Sequence, residues 1–477
     1  MGRMGRRRIR GAGYPLALAL LPCWHMAGHA ETGQSLLSPP NERPFSAPVQ
    51  SDPLIEAMDR TVGASLFQAE MAAALRDNSA VDEAQAGERE AAAARVQARS
   101  ALFPTIDMSL DANRAVARNF SNDIGNIIER SRPEGRTDAT ASVRQRLLDF
   151  GAASSRIQAG NARVDAARLT TWTQGEDIVL RSISAWYAIL AQRSMEQLAL
   201  DYGVRQAALR AAMQRRIIQG YSAQGDLARI DSAIATVRLR LSRFRRERAA
   251  AEAQYRALVG HDAPAEMARA PVPSVAGIDA PGLEALVLQA PGVRKAEAQA
   301  RAARQDARAA RAERLPTVSA GVDAGRYGLF ENPGDYDVRG RIIVRAQLGA
   351  GINARADQAG ARADAAEAYA ARTRQEALRD AEIALADIRA LDDQLVAARA
   401  SYLATRDSRD VVATRFVASQ GSLLDVLTVE DEHFFAAANY VQAVSDLDLA
   451  HFMMLARTGR LLNRLSLSIE SSDRISQ

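Results

Sequence analysis

Two short stretches of the chain alternate apolar and polar residues with a period of two, and each opens at a proline. After Pro104, Ile106, Met108 and Leu110 alternate with Thr105, Asp107, Ser109 and Asp111. After Pro316, Val318, Ala320 and Val322 alternate with Thr317, Ser319, Gly321 and Asp323. Two returning stretches do the same. Ala139, Ala141 and Val143 stand against Asp138, Thr140, Ser142 and Arg144; Ile342, Val344 and Ala346 stand against Arg341, Arg345 and Gln347. Ile343 is the one apolar residue on the polar side. A period of two with charges on one face predicts four half-buried strands in two hairpins, 105–148 and 317–348.

The surrounding chain has the opposite character. Blocks rich in Ala, Arg, Glu, Gln and Leu, with no proline between Pro133 and Pro264 or after Pro333, predict helices over 54–102, 152–217 and 226–258, then 282–314, 352–417 and 423–458. At 1.5 Å per residue the helices at 152–217 and 352–417 would each run roughly 100 Å. Helices that long and that rich in Ala suit side-by-side packing in a bundle or a wall of coiled coils.

The order is a duplication. Ser79 and Pro291 each precede their strand-opening proline by 25 residues, and Arg216 and Arg415 each precede an Asp (Asp226, Asp425) by ten. The predicted organisation is a first repeat over 54–260 and a second over 282–460, each helix, hairpin, long helix, helix. Proline-rich 31–53 reads as an extended N-terminal tail, 261–281 as the connector and 461–477 as a C-terminal tail.

Charge changes the picture only once its source is located. The whole chain carries 61 basic and 57 acidic residues. Five of the basic ones, Arg3, Arg6, Arg7, Arg8 and Arg10, precede the apolar run Tyr14–Leu21, and a small-x-small step ends at Ala30. Residues 1–30 therefore read as a secretory signal peptide. Without them 56 bases face 57 acids, and the basic balance that would suggest nucleic acid disappears. The one cysteine, Cys23, lies in that leader, in a poor context for lipidation. Three histidines, His261, His433 and His451, remain, which excludes disulfides and thiolate metal sites. No phosphate loop, HExxH helix or nucleophile motif is present; Gly349-Ala350-Gly351 is an incomplete nucleotide fingerprint, so an enzyme is not expected and no cofactor is implied.

The strands admit two readings: a small soluble sheet, or part of a transmembrane barrel. Export, strands of about ten residues and the lack of any apolar helix favour the second. Four strands cannot close alone and lipid does not tolerate open edges, so copies must share one barrel; with about eight strands the smallest usual size, three copies are the economical solution.

The repeated helix–strand–strand–helix order, Leu102-Phe103-Pro104 and Leu315-Pro316 at the helix-to-strand switches, the Gln145…Leu147…Asp149…Gly151 return, and the run Arg415, Phe416, Gly421, Asp425, Val426, Leu427 together resemble the TolC family of outer-membrane channels over residues 54–460. The resemblance implies a mainly α protein with transmembrane β: a homotrimer whose twelve-stranded barrel sits in outer-membrane lipid and continues as a long α-helical barrel into the periplasm of a Gram-negative cell. It implies partners as well, a periplasmic adaptor (membrane fusion) protein and an inner-membrane transporter. Loops 113–136 and 328–337 would face outside, and 261–281 with the two tails would form an equatorial collar. The whole sequence, leader included, is similar to channels that export an adenylate-cyclase haemolysin (cyclolysin). That points to type I secretion of a protein toxin from an ABC transporter, with small-molecule efflux as the alternative and a coiled-coil scaffold as the reading from another class.

The same resemblance places an aspartate ring of the pore constriction at Asp425, with the second ring position at Thr428, followed by Glu430 and Asp431. It places a tip latch at Asp226, Phe416 and Gly421, where Phe416 lacks a hydroxyl and Gly421 a cation, so a weak latch is expected. From physics alone, three symmetric carboxylates near an axis hold hydrated cations, whereas Asp425 reads equally as a helix cap and Asp226, after Gly225, reads first as one. Asp431 is expected to matter little to cation selectivity and conductance. Phe120, Tyr327, Phe330 and Tyr336 would form an interfacial belt or pack within loops. Arg240, Arg243, Arg245, Arg246 and Arg248 read as a solvated helix face or as partners of acids on neighbouring helices.

Overall fold

A computed structural model describes residues 35–469, except 44, 46, 47, 77, 220–223, 274–279, 332, 333, 348 and 419. The expected signal peptide and Cys23 lie outside the described residues. The elements are α1 (Pro53–Asp59), α2 (Ala64–Arg76), α3 (Ser79–Ser100), β1 (Thr105–Arg114), α4 (Ile127–Ser131), β2 (Gly135–Leu148), α5 (Ala152–Ile218) and α6 (Gln224–Val259). They continue as α7 (Ala280–Leu288), α8 (Pro291–Ala312), β3 (Thr317–Arg326), β4 (Tyr336–Arg345), α9 (Ala350–Val417), α10 (Leu423–Arg457) and α11 (Leu461–Arg464).

Two helices expected to be continuous are broken. The stretch 54–102 forms α1, α2 and α3; Asn78 stops and restarts the chain by accepting from the N–H of Ala80 at 3.0 Å. The stretch 282–314 divides at Pro291, which has no N–H to continue α7 and instead occupies the first turn of α8. Helix α7 also begins at Ala280, inside the expected connector. The described part of the C-terminal tail is anchored rather than free. Gly175 meets the Ile469 side chain so closely that a Cβ there would lie 2.5 Å from it. Gly459, at φ +67°, closes α10 against Pro291, where a side chain is excluded both by backbone strain and by a 2.0 Å approach.

The four strands form one antiparallel sheet in the order β1-β2-β3-β4, so the two hairpins join through β2 and β3. Pro104 and Pro316 sit immediately before β1 and β3. At the return from β2, Gly151 (φ +88°) opens α5, and the Asp149 carboxylate accepts from the N–H of Gly151 at 3.1 Å and of Ala153 at 2.8 Å. The second return has Gly349 (φ +153°) before α9 with no side-chain cap, yet the β3–β4 register holds to Arg345.

Below the sheet, α5 packs on α3 and α8, and α9 packs on α8; further on, α5 packs on α6 and α10, and α10 on α9. Near the sheet the buried residues are almost all alanine, among them Ala159, Ala162, Ala298, Ala302 and Ala309, which lets the helices approach closely. Ion pairs tie the same layer: Arg156–Glu313, Arg163–Asp306 and Arg168–Glu88.

Three apolar clusters then follow one another along α5. The largest surrounds Trp186, Phe67, Tyr255 and Phe452. Here Trp186 donates to the carbonyl of Ala268, and Arg269 grips Asp448 of α10 at 2.7 Å through two nitrogens, so residues 268 and 269 are fixed against the middle of α5 and α10. The second cluster gathers Leu198, Tyr202, Phe434 and Tyr440. The third, at the far end, gathers Met213, Ile230, Phe416, Leu423 and Val426 from four helices.

Candidate membrane sheet and periplasmic tip

The strand register fixes which residues share a face. Ile106, Met108 and Leu110 pair with Val143, Ala141 and Ala139; Val143 and Ala141 pair with Val322 and Ala324; and Val318, Ala320 and Ala324 pair with Val344, Ile342 and Val338. The middle of one face is thus apolar, with Arg114, Thr137, Gln145 and Arg326 towards its ends, and it is bare: Met108 is 81% exposed and Ile342 73%. A water-soluble sheet would cover such a face with other elements. The opposite face carries Asp107, Ser109, Asp138, Thr140, Asp323, Arg339 and Arg341, linked across strands by Ser109–Thr140 at 2.9 Å and Arg341–Asp323 at 2.9 Å. Apolar on one side, polar and ion-paired on the other, is the sidedness of a barrel wall with a wet lumen. Among the described residues no helix is long and apolar enough to cross a membrane.

The aromatics near the loops divide. Phe120 lies under Arg118 and Tyr327 under Arg136, at 5.6 and 5.2 Å, while Phe330 and Tyr336 are 77% and 79% exposed.

At the other end, Ser422 caps α10. Its hydroxyl accepts from the N–H of Asp425 at 3.1 Å, and the Asp425 carboxylate accepts from the N–H of Ser422 at 3.3 Å. Asp425 is therefore the reciprocal partner of a capping box, three residues into the helix. Asp425 and Thr428 are both exposed, opposite Leu423 and Val426 in the tip cluster. Asp226 is not a cap: α6 starts at Gln224, which puts it in the first turn, half-buried, and its carboxylate has no hydrogen bond or ion pair among the described residues. Phe416 and Gly421 do come together, with a Cβ on Gly421 meeting the Phe416 nitrogen at 3.4 Å.

What holds this end was not legible as a motif. Arg216 of α5 stacks over the Phe416 ring at 4.9 Å and donates to the Phe416 carbonyl. The basic run on α6 is mostly paired: Arg240 with Asp431 at 2.7 Å, and Arg245 and Arg248 with Glu196 of α5. Asp431 thus ties α10 to α6.

Higher up the seam, Arg205 pairs with Glu430 at 3.1 Å, and His433 is fully buried, stacked on Tyr402. Burial and the neighbouring guanidinium groups of Arg409, Arg205 and Arg406 push His433 down to about 2, so the ring is neutral. In the large mid-helix cluster Glu176 is buried, and burial raises it to about 7 against the pull of Trp172 and the N–H groups of Leu461 and Leu462.

A four-stranded wall with one lipid-type face, extended by helices of 67 and 68 residues, defines an outer-membrane channel subunit. The family model described as outer membrane efflux protein matches residues 71–261 and 283–452. The chain belongs to that family, the TolC-like channels, and is an outer-membrane protein. Solved structures with the same fold include the outer membrane protein VceC of Vibrio cholerae, 17% identical, covering 85% of this chain and 97% of that one, with a TM-score of 0.72. The CmeC outer membrane channel of Campylobacter jejuni is 14% identical, over 87% and 90%, with a TM-score of 0.74. The open state of the MtrE outer membrane channel of Neisseria gonorrhoeae is 17% identical, over 85% and 90%, with a TM-score of 0.66. Among curated proteins no match is found.

Proposed function

We propose that three copies of this chain form an export channel that passes a protein toxin from an inner-membrane ABC transporter, through a periplasmic adaptor, to the outside. The observation that carries the channel reading is the agreement of edges. In the sheet β1 and β4 each have a single neighbour, and the helices that adjoin them, α3 and α9, are the outer members of the layer α3-α5-α8-α9. Strand edges and helix edges thus lie in register for copies to be added on both flanks, as closure without open edges in lipid demands. The channel is passive, and gating is a change in packing of α9 and α10 against α5 and α6, driven by partners.

Support for protein cargo is the likeness of the whole sequence to type I secretion channels. The family's description as efflux proteins favours the second reading, export of small molecules. Deleting the gene and assaying both cargoes separates them. The first reading expects toxin activity to vanish from the medium with unchanged resistance to dyes and antibiotics; the second expects the reverse. A protein extracted by salt as a non-conducting rod would support a scaffold instead.

A further inference from the structure

Residues 36–38 lie across the seam between the α5–α6 pair and the α9–α10 pair, and they are bonded to both. The Asp201 carboxylate of α5 accepts from the backbone N–H of Leu36 at 2.6 Å and of Leu37 at 3.1 Å. The carbonyl of Ser38 accepts from Arg205 of α5 at 3.4 Å and from Arg409 of α9 at 2.9 Å. Leu37, 3% exposed, is driven between the helices into the cluster with Tyr202, Tyr402 and Phe434. Fourteen residues later the chain is fixed again: buried Asp52 caps α1 and accepts from Tyr402 at 2.8 Å and from Arg406 at 3.2 Å, both on α9.

Beneath this segment the seam is poorly matched. Gln206 is 1% exposed, and neither atom of its amide has a hydrogen-bond partner among the described residues; the same holds for Nε2 of His433. A cavity of about 290 Å³ lies beside Gln206, walled also by Pro40, Phe416 and Val426. Apolar packing is therefore interrupted where the two helix pairs must part for the tip to open. Unpaired buried amides favour separation, since parting would expose them to water.

We infer that residues 35–40 form a strap that holds the tip closed, with Asp201 and Arg409 as the positioning residues that fasten it to the two helix pairs. Because α5 and α9 are joined through one short piece of backbone, they cannot shift relative to each other without breaking the bonds to Asp201 or to Arg409. The inference rests on the channel reading above.

The test is conductance of the purified protein in planar bilayers, with heat resistance of the assembled oligomer measured in parallel. Asp201→Ala is expected to raise open-channel current at least about fivefold while leaving heat resistance unchanged. Asp201→Glu, which keeps the acceptor, and Asp177→Ala, an exposed carboxylate on the same helix paired with Arg181, are expected to behave as the unaltered protein. Unchanged current in assembled Asp201→Ala overturns the strap. So does loss of assembly in both Asp201→Ala and Asp201→Asn, because the strap is assigned to the gate and not to the fold. Absence of any current from the unaltered protein overturns the channel reading itself, a separate outcome.

Discussion

Arg205 of α5 and Glu430 of α10 meet at 3.1 Å with side chains only 15% and 7% exposed. The pair bridges the seam that a channel of this construction must open. Burial lowers the affinity of Arg205 for its proton and Glu430 opposes that effect, so each charge is tolerated because of the other.

Removing one partner should cost more than removing both. Glu430→Ala is expected to destabilise the protein by about 3 kcal/mol, since it strands a buried guanidinium. Arg205→Met with Glu430→Leu is expected to recover most of that loss. Denaturant unfolding in detergent, followed by helical circular dichroism, reads both; equal losses in single and double variants would show that the pair is not coupled.

Strand sidedness gives a sharper contrast. Met108→Arg places a cation on the bare apolar face and is expected to destabilise the barrel by about 2–4 kcal/mol if the site lies near the bilayer midplane. Ser109→Arg, one residue on and across the sheet, is expected to assemble normally. The yield of heat-resistant oligomer in outer-membrane fractions distinguishes them, and equal yields would contradict the assignment of faces.

Asp425 has two jobs that separate experimentally. Losing the capping box in Asp425→Ala is expected to cost about 1 kcal/mol of stability. If the copies bring this exposed carboxylate to a common axis, the same variant lowers cation selectivity, read as a shift in reversal potential under a salt gradient. A stability loss without any shift assigns the residue to the helix start alone.

Glu176 makes stability depend on pH in an unusual direction. Its value in the folded protein, about 7, lies above the ordinary carboxyl value, so the folded state holds the proton more tightly than the unfolded state. Its contribution is full below pH about 4.5 and is lost as pH rises to about 7, a change of order 3 kcal/mol. His433 acts in the opposite sense, costing stability as pH falls below about 6.5. Because the two contributions oppose each other between pH about 5 and 6.5, Glu176→Gln is expected to leave a stability that rises with pH over that range in thermal melts; an unaltered pH dependence would assign it elsewhere.

Much of the architecture was set by local chemistry and so was readable along the chain. Alternation at 105–111 and 317–323 put the apolar residues of β1 and β3 on one face, because side chains in a strand must alternate. Pro104, Pro316 and Gly151 marked the switches because a proline or a left-handed residue restricts the backbone wherever it sits. The helices expected over 152–217 and 352–417 run as Ala152–Ile218 and Ala350–Val417 because nothing in those stretches interrupts their propensity. Pro291 and Asn78 were equally visible, yet their power to break 282–314 and 54–102 was underestimated.

Tertiary structure alone decided what meets across the seams. Arg216 over Phe416, Arg205 with Glu430, and Asp201 on the backbone of Leu36 and Leu37 join residues 164 to 225 positions apart. The last of these recognises peptide N–H groups, which every residue but proline carries, so no side-chain pattern records it. Whether Asp226 touches Phe416, and whether residues 35–40 hang free or lie clamped, depends on how two long helix pairs settle against each other. That settling is a sum of many small packing terms over the full length of the helices, and no single stretch of sequence contains it.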